Sequence, residues 1–109
     1  MVSPLQSIKE ITAFEVPAGE DEEFLKGWNE IAEQMRQAPG VISIQLHESL
    51  DPATKFRFVA LIEWESTPLY EAARSKASKA FEELRRKMPF AACPALYRLV
   101  VAAAAASCP

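Results

Sequence analysis

The chain has 109 residues, half of them apolar and a quarter charged, which suits one domain with its own core, leaves too little for two, and excludes a disordered chain. A formal net charge of -3 at pH 7 argues against a surface built to grip nucleic acid. No run of ~20 apolar residues would span a membrane, and the opening MVSPLQSIKE lacks the basic-then-apolar pattern of a secretion signal, so the expected compartment is the reducing cytoplasm.

Ser7 to Val16 alternates, with Ile8, Thr12, Phe14 and Val16 on one parity and Ile11 and Ala13 on the other. This pattern predicts a first strand. Pro17-Ala18-Gly19 breaks it. The acids Glu20 to Glu23 suit solvent and the positive end of a helix. Phe24, Trp28, Ile31, Met35 and Ala38 then recur at helical spacing, which predicts a helix over about 20–37 with one buried face. Pro39-Gly40 stops it.

A second strand is expected from Val41 to about Ser49. Ile42, Ile44 and Leu46 take one face, and Val41, Ser43, Gln45 and His47 the other. Asp51-Pro52-Ala53-Thr54 reads as a turn. The third strand, Phe56 to Glu65, returns antiparallel. Phe56, Phe58, Ala60, Ile62 and Trp64 make one wholly apolar face, while Val59 and Leu61 lie between Arg57 and Glu63 on the other. Thr67-Pro68 reads as an N-cap followed by proline at the first helical position. Leu69, Ala73, Ala77, Ala80 or Phe81, Leu84 and Met88 mark the buried face of a second helix that Pro89 ends. Ala95 to Ala103 is the expected last strand, with a frayed tail over 104–109.

The order is βαββαβ over a single domain, 1–109, with its core at about 7–103. The expected fold is ferredoxin-like α+β: a four-stranded antiparallel sheet with two helices on one face. Its other face keeps Val41, Val59, Leu61 and residues of the last strand. Leaving that face wet forfeits several kcal/mol at roughly 25 cal/mol per Å2. A second copy of the chain packing sheet against sheet would cover it, giving a homodimeric α/β barrel.

Few residues can carry metal or thiol chemistry. His47 is the lone histidine, and Cys93 and Cys108 are the two cysteines, without CxxC spacing. No metal site, disulfide framework or bound cofactor is expected, and three glycines in all leave no phosphate loop.

FEVPAG, EEFLKGW, PGVISIQLH, DPATKFRFVALIEWES and PALYRLV fall in this order over roughly residues 8–101. Together they resemble the antibiotic biosynthesis monooxygenase family of dimeric α/β-barrel proteins. The resemblance implies an apolar pocket between sheet and helices in each subunit, walled by Trp64. It also implies cofactor-free oxidation of a small phenolic or polyketide-like substrate with O2. Family members often carry an asparagine four residues before this tryptophan and a histidine just before the PALY segment. Here those positions are Ala60 and Cys93. Heme-degrading members need an asparagine on the first strand and a histidine on the second helix. Thr12 stands at the first position, and the second helix has no histidine.

Trp64, His47, Tyr70 and Arg74 are therefore the expected catalytic residues. The indole would stack on the ring, and the other three would take a proton or hold an anion. Thr12, Phe14, Trp28, Met35, Phe58, Ala60 and Tyr97 are the expected substrate contacts. Several have a plainer alternative: a core tryptophan, a surface or dimer-interface histidine, an exposed Tyr70–Arg74 helix edge and a packed Tyr97; Cys93 reads as a small buried residue. Two other functions stay open, a cyclase or isomerase that needs no O2, and a non-catalytic dimer that holds an apolar ligand.

Overall fold

Residues 6–76, 86 and 89–106 are described in a computed structural model of the chain. The elements follow the expected order: β1 (Ile8–Glu15), α1 (Asp21–Met35), β2 (Val41–Glu48), β3 (Phe58–Trp64), α2 (Thr67–Lys76) and β4 (Ala91–Tyr97). The strands form one antiparallel sheet in the order β2-β3-β1-β4. The fold is ferredoxin-like α+β. The expected helix-face residues Ala77, Ala80, Phe81, Leu84 and Met88 lie outside the described residues, as does Cys108.

The core sits between the sheet and α1. β1 buries every second residue, Ile8, Glu10, Thr12 and Phe14. β3 does the same with Phe58, Ala60, Ile62 and Trp64. Phe24, Trp28 and Ile31 come down from α1 at spacings of four and three, the period that keeps one helical face on the sheet. Phe24 is wholly buried and stacks on Phe58 with ring centroids 4.6 Å apart. Phe14 meets both Phe24 and Trp28 edge-on. Arg57 ties α1 to the β2–β3 hairpin through Asp21, Glu48 and the Ser49 carbonyl. Among the described residues no helix is long and apolar enough to cross a membrane.

Several local expectations are corrected. β2 carries a bulge between Val41 and Ser43: Val41 pairs with Trp64, and Ser43 with Glu63. The extra residue reverses parity at the start of the strand. Val41 thus packs on the core, and Ile42 is half exposed. α2 is capped by Ser66, not Thr67: the Leu69 N–H donates to Ser66 Oγ at 3.3 Å. β4 spans Ala91–Tyr97 instead of Ala95–Ala103. Its partner β1 begins at Ile8, and the pairing ends at Lys9 with Tyr97, so the chain beyond has no strand to pair with. Pro94 sits inside β4 because β4 is an edge strand, where a missing N–H is tolerated. Cys93 is exposed on this strand, not buried.

Gly40 joins α1 to β2 with φ at 97°, and its carbonyl accepts a 2.7 Å hydrogen bond from the Glu65 N–H. A Cβ there would lie 2.7 Å from Leu69 Cβ. Gly19 has a similar φ of 88° and nothing within 4 Å of an added Cβ. Both Gly→Ala variants carry backbone strain of about 1 kcal/mol or more. Gly40→Ala adds the collision with α2. It is expected to lose about 1–3 kcal/mol beyond Gly19→Ala in chemical denaturation, and equal losses would contradict the packing described.

Candidate functional site

The alternation that builds the core also opens a cavity of about 70 Å3 between sheet and helices. Its floor is the inner face of the sheet. Glu10, Thr12 and Phe14 come from β1, Ile62 from β3, and Ala92 and Pro94 from β4. Trp28, Ile31 and Met35 of α1 form one wall, and Arg74 of α2 closes another side. Most of the lining is apolar. The side-chain hydrogen-bonding groups with strong polarity are the Glu10 carboxylate, the Thr12 hydroxyl and the Arg74 guanidinium, the mixture small-molecule sites use for grip and orientation.

Glu10 is 5% exposed, a costly place for a carboxylate unless a donor meets it. Trp64 supplies that donor. Its Nε1–H donates to Glu10 Oε1 at 3.2 Å, across two neighbouring strands. The Tyr70 ring stands edge-on to Trp64 at 5.5 Å between centroids. Arg74, one helical turn on, places its guanidinium carbon 5.8 Å from the centre of the Tyr70 ring. Burial raises the Tyr70 phenol above its ordinary value of 10.0. The Glu10 charge adds to the rise, Arg74 partly offsets it, and Glu71 raises it further.

Of the residues named from sequence, Thr12, Phe14, Trp28, Met35 and Arg74 line the cavity. Trp64 and Tyr70 stand one layer behind. Trp64 is 2% exposed and is not part of the lining. The expectation that its indole walls the pocket is corrected, because the ring packs in the core and its N–H is spent on Glu10. Phe58 and Ala60 are core residues away from the cavity.

His47 is exposed on edge strand β2. It pairs with Val59 on the sheet face opposite the helices, with Nε2 3.2 Å from Gln45 Oε1. Tyr97 pairs with Lys9 on that same outer face and is half exposed. Both are therefore placed away from this cavity, because their strand parity points them to the other side of the sheet.

Sequence reasoning missed Glu10, Ile31, Ile62, Ala92 and Pro94 as lining residues. Glu10 had a signal: it is the one charged side chain on the parity of Ile8, Thr12 and Phe14. Ala92 and Pro94 were hidden by the late start assigned to the last strand. Among the described residues, no group of three or more His, Cys, Asp or Glu side chains is arranged to hold a metal ion.

A sequence model of the family described as antibiotic biosynthesis monooxygenase matches residues 7–87. No curated protein matches the chain. Solved structures share its fold. A protein of Shewanella loihica PV-4 proposed to be a monooxygenase is 29% identical, with a TM-score of 0.78 over 89% of this chain and 97% of that one. SnoaB, a cofactor-independent oxygenase from Streptomyces nogalater, is 15% identical, with a TM-score of 0.74 over 89% and 96%. A heme-degrading protein of Mycobacterium tuberculosis is 22% identical, with a TM-score of 0.67 over 91% and 97%. The last two likenesses concern the fold alone.

The Tyr70 environment can be read directly. In a Tyr97→Phe background Tyr70 is the only tyrosine, so tyrosinate absorbance reports it alone. Its titration is expected above 10.0, and Glu10→Gln is expected to bring it down. A folded-state value above the unfolded one stabilises the fold fully below about pH 10, and that contribution is lost as pH rises through the raised value. An unshifted titration, or one indifferent to Glu10→Gln, would contradict the described contacts.

Proposed function

The chain belongs to the antibiotic biosynthesis monooxygenase family, and on that premise we propose that it is a cofactor-independent monooxygenase. Its proposed substrate is a small phenolic or polyketide-type molecule, oxidised with O2. The observation that carries the reading is the cavity itself. Apolar walls surround a carboxylate, a hydroxyl and a guanidinium, so the edge of a flat ring that carries its oxygen substituent can be held at the polar groups.

In the proposed chemistry the substrate's phenol loses its proton. The electron-rich anion passes one electron to O2, and the two radicals combine to a peroxide. Loss of water then leaves a quinone. One oxygen atom enters the ring and the other leaves as water. The Arg74 guanidinium stabilises the anion, and the apolar walls exclude solvent that would otherwise stabilise the ground state. An apolar cavity of about 150 Å3 holds one benzene. At about 70 Å3, this cavity takes the reacting edge of the substrate, and the rest lies at its mouth. Met35, unbranched and flexible, is the wall best able to give way.

The outer sheet face supports a second proposal. Ile11, Ala13, Val59 and Leu61 are only partly covered there, and Ala95 and Tyr97 are exposed. We propose that a second copy packs on this face, which places His47 at or near the interface. The same carboxylate and guanidinium could enolise a carbonyl without oxygen, so an isomerase or cyclase is the second reading of the cavity.

Two measurements test these readings. Dihydroxynaphthalene is an electron-rich phenol whose oxidation to hydroxynaphthoquinone consumes one O2 and releases one water. The protein is expected to accelerate oxygen uptake with that stoichiometry, and to do so in the presence of a chelator. Uptake no faster than without protein would contradict the oxygenase reading, and anaerobic turnover of a ketone would favour the second. Light scattering after size-exclusion chromatography is expected to give twice the chain mass of 12.1 kDa at micromolar protein. A folded monomer there would overturn the dimer.

A further inference from the structure

Glu10 is the feature that the expected site does not use. It lies on β1, with Ile62 of β3 and Leu96 of β4 as its register partners. A core position of this kind is ordinarily filled by an aliphatic residue, and a carboxylate there weakens the core unless it serves a purpose. Among the described residues no cation pairs with it, and its side chain makes one hydrogen bond, the one from Trp64 to Oε1. No side-chain polar atom is both fully buried and without a hydrogen-bond partner among those residues. Oε2 makes no hydrogen bond among those residues, and Glu10 lines the cavity.

Arg74 lines the same cavity without forming an ion pair with Glu10. A carboxylate and a guanidinium thus face one small volume without neutralising each other. A ligand complementary to both carries a donor O–H for the first and an oxygen able to bear negative charge for the second. A ring hydroxyl is both. Among the described residues the remaining lining offers no competing proton acceptor: the Thr12 hydroxyl is a weak base, the Trp28 indole only donates, and the other walls are apolar. Tyr70 keeps its own proton more firmly than an ordinary tyrosine, and His47 faces the other side of the sheet.

We propose that Glu10 is the proton acceptor of the site and its recognition group for hydroxyaromatic ligands. The ring hydroxyl donates to Oε2. Its O–H bond then breaks, the proton passes to the carboxylate, and the oxygen is left as an anion facing Arg74. Once protonated, Glu10 is neutral and no longer opposes that anion. Trp64 is the positioning residue, holding Oε1 so that Oε2 stays turned to the cavity. The proton transfer rests on the reading of the cavity as the substrate site; the recognition of a hydroxyl does not depend on oxygen chemistry.

Binding and turnover test the two halves separately. Para-cresol and para-methylanisole differ in that a methyl group replaces the hydroxyl proton, the cresol keeps its proton at neutral pH, and their binding can be followed by titration calorimetry. The wild-type protein is expected to prefer the phenol by ~10-fold or more, because a site built to accept a hydroxyl rejects the analogue without one. Glu10→Leu is expected to bring the two affinities within ~3-fold of each other, by loss of the phenol's advantage. Glu10→Gln keeps the volume and an acceptor for Trp64, and covers the case in which Glu10→Leu does not fold. In dihydroxynaphthalene turnover Glu10→Gln is expected to lose ~100-fold or more in kcat with KM little changed, the usual scale of a lost general base. Trp64→Phe is expected to lower kcat and the phenol preference together while the protein stays folded.

No preference in the wild type, or a preference that survives in Glu10→Leu, would overturn the assignment of recognition. Full kcat in Glu10→Gln would overturn the proton transfer, and an unchanged phenol preference in Trp64→Phe would overturn the positioning role. If the wild type consumes no oxygen with dihydroxynaphthalene, the oxygenase reading fails while the binding ratio still stands or falls with Glu10.

Discussion

The hydrogen bond from the Trp64 indole to the Glu10 carboxylate joins the two central strands of the sheet inside the apolar layer. A carboxylate beneath a helix is unstable company for phenylalanine and isoleucine unless a donor meets it. Indole suits that place because it is a large apolar ring with one N–H and no acceptor. The ring fills the core beside Val41 and Tyr70, and its N–H holds one carboxylate oxygen. The cavity takes its polarity from that arrangement. Tyr70 is held against Trp64 and Arg74 against Tyr70, so the cationic side of the cavity is positioned through the same chain of contacts.

Much of the fold was legible because its elements follow simple periods. The alternation along Phe58–Trp64 and the four-and-three spacing of Phe24, Trp28 and Ile31 correspond directly to buried faces. The errors have physical causes. Val41 and Ile42 are both apolar, so periodicity alone could not show that a bulge turns the first inward and the second outward. Pro94 reads as a strand breaker until it is known that its strand is at an edge, with β1 as its only neighbour among the described residues. The end of β4 is set by where β1 begins, which is information carried by a distant segment.

The site was less legible than the fold. Thr12, Phe14, Trp28, Met35 and Arg74 could be placed around one cavity from parity and helical spacing. His47 drew notice as the only histidine, but its chemistry has no bearing on a cavity on the far side of the sheet. Trp64 was expected at the wall because the family resemblance implied it, yet its polar edge is the part engaged. Glu10 was overlooked because acids are common at exposed strand positions, and only its parity distinguished it. The likenesses to an oxygenase and to a heme-degrading protein share one scaffold. Fold therefore leaves the chemistry open, and the side chains around the cavity have to carry the functional argument.

A double-mutant cycle on stability, combining Glu10→Leu and Trp64→Phe, tests the central contact most directly. The two side chains share a buried, charge-assisted hydrogen bond in this account, so each single variant leaves a polar group unmatched that the double variant removes. The cycle is predicted to show a coupling of about 1–3 kcal/mol. Additive losses, with a coupling near zero, would contradict the account.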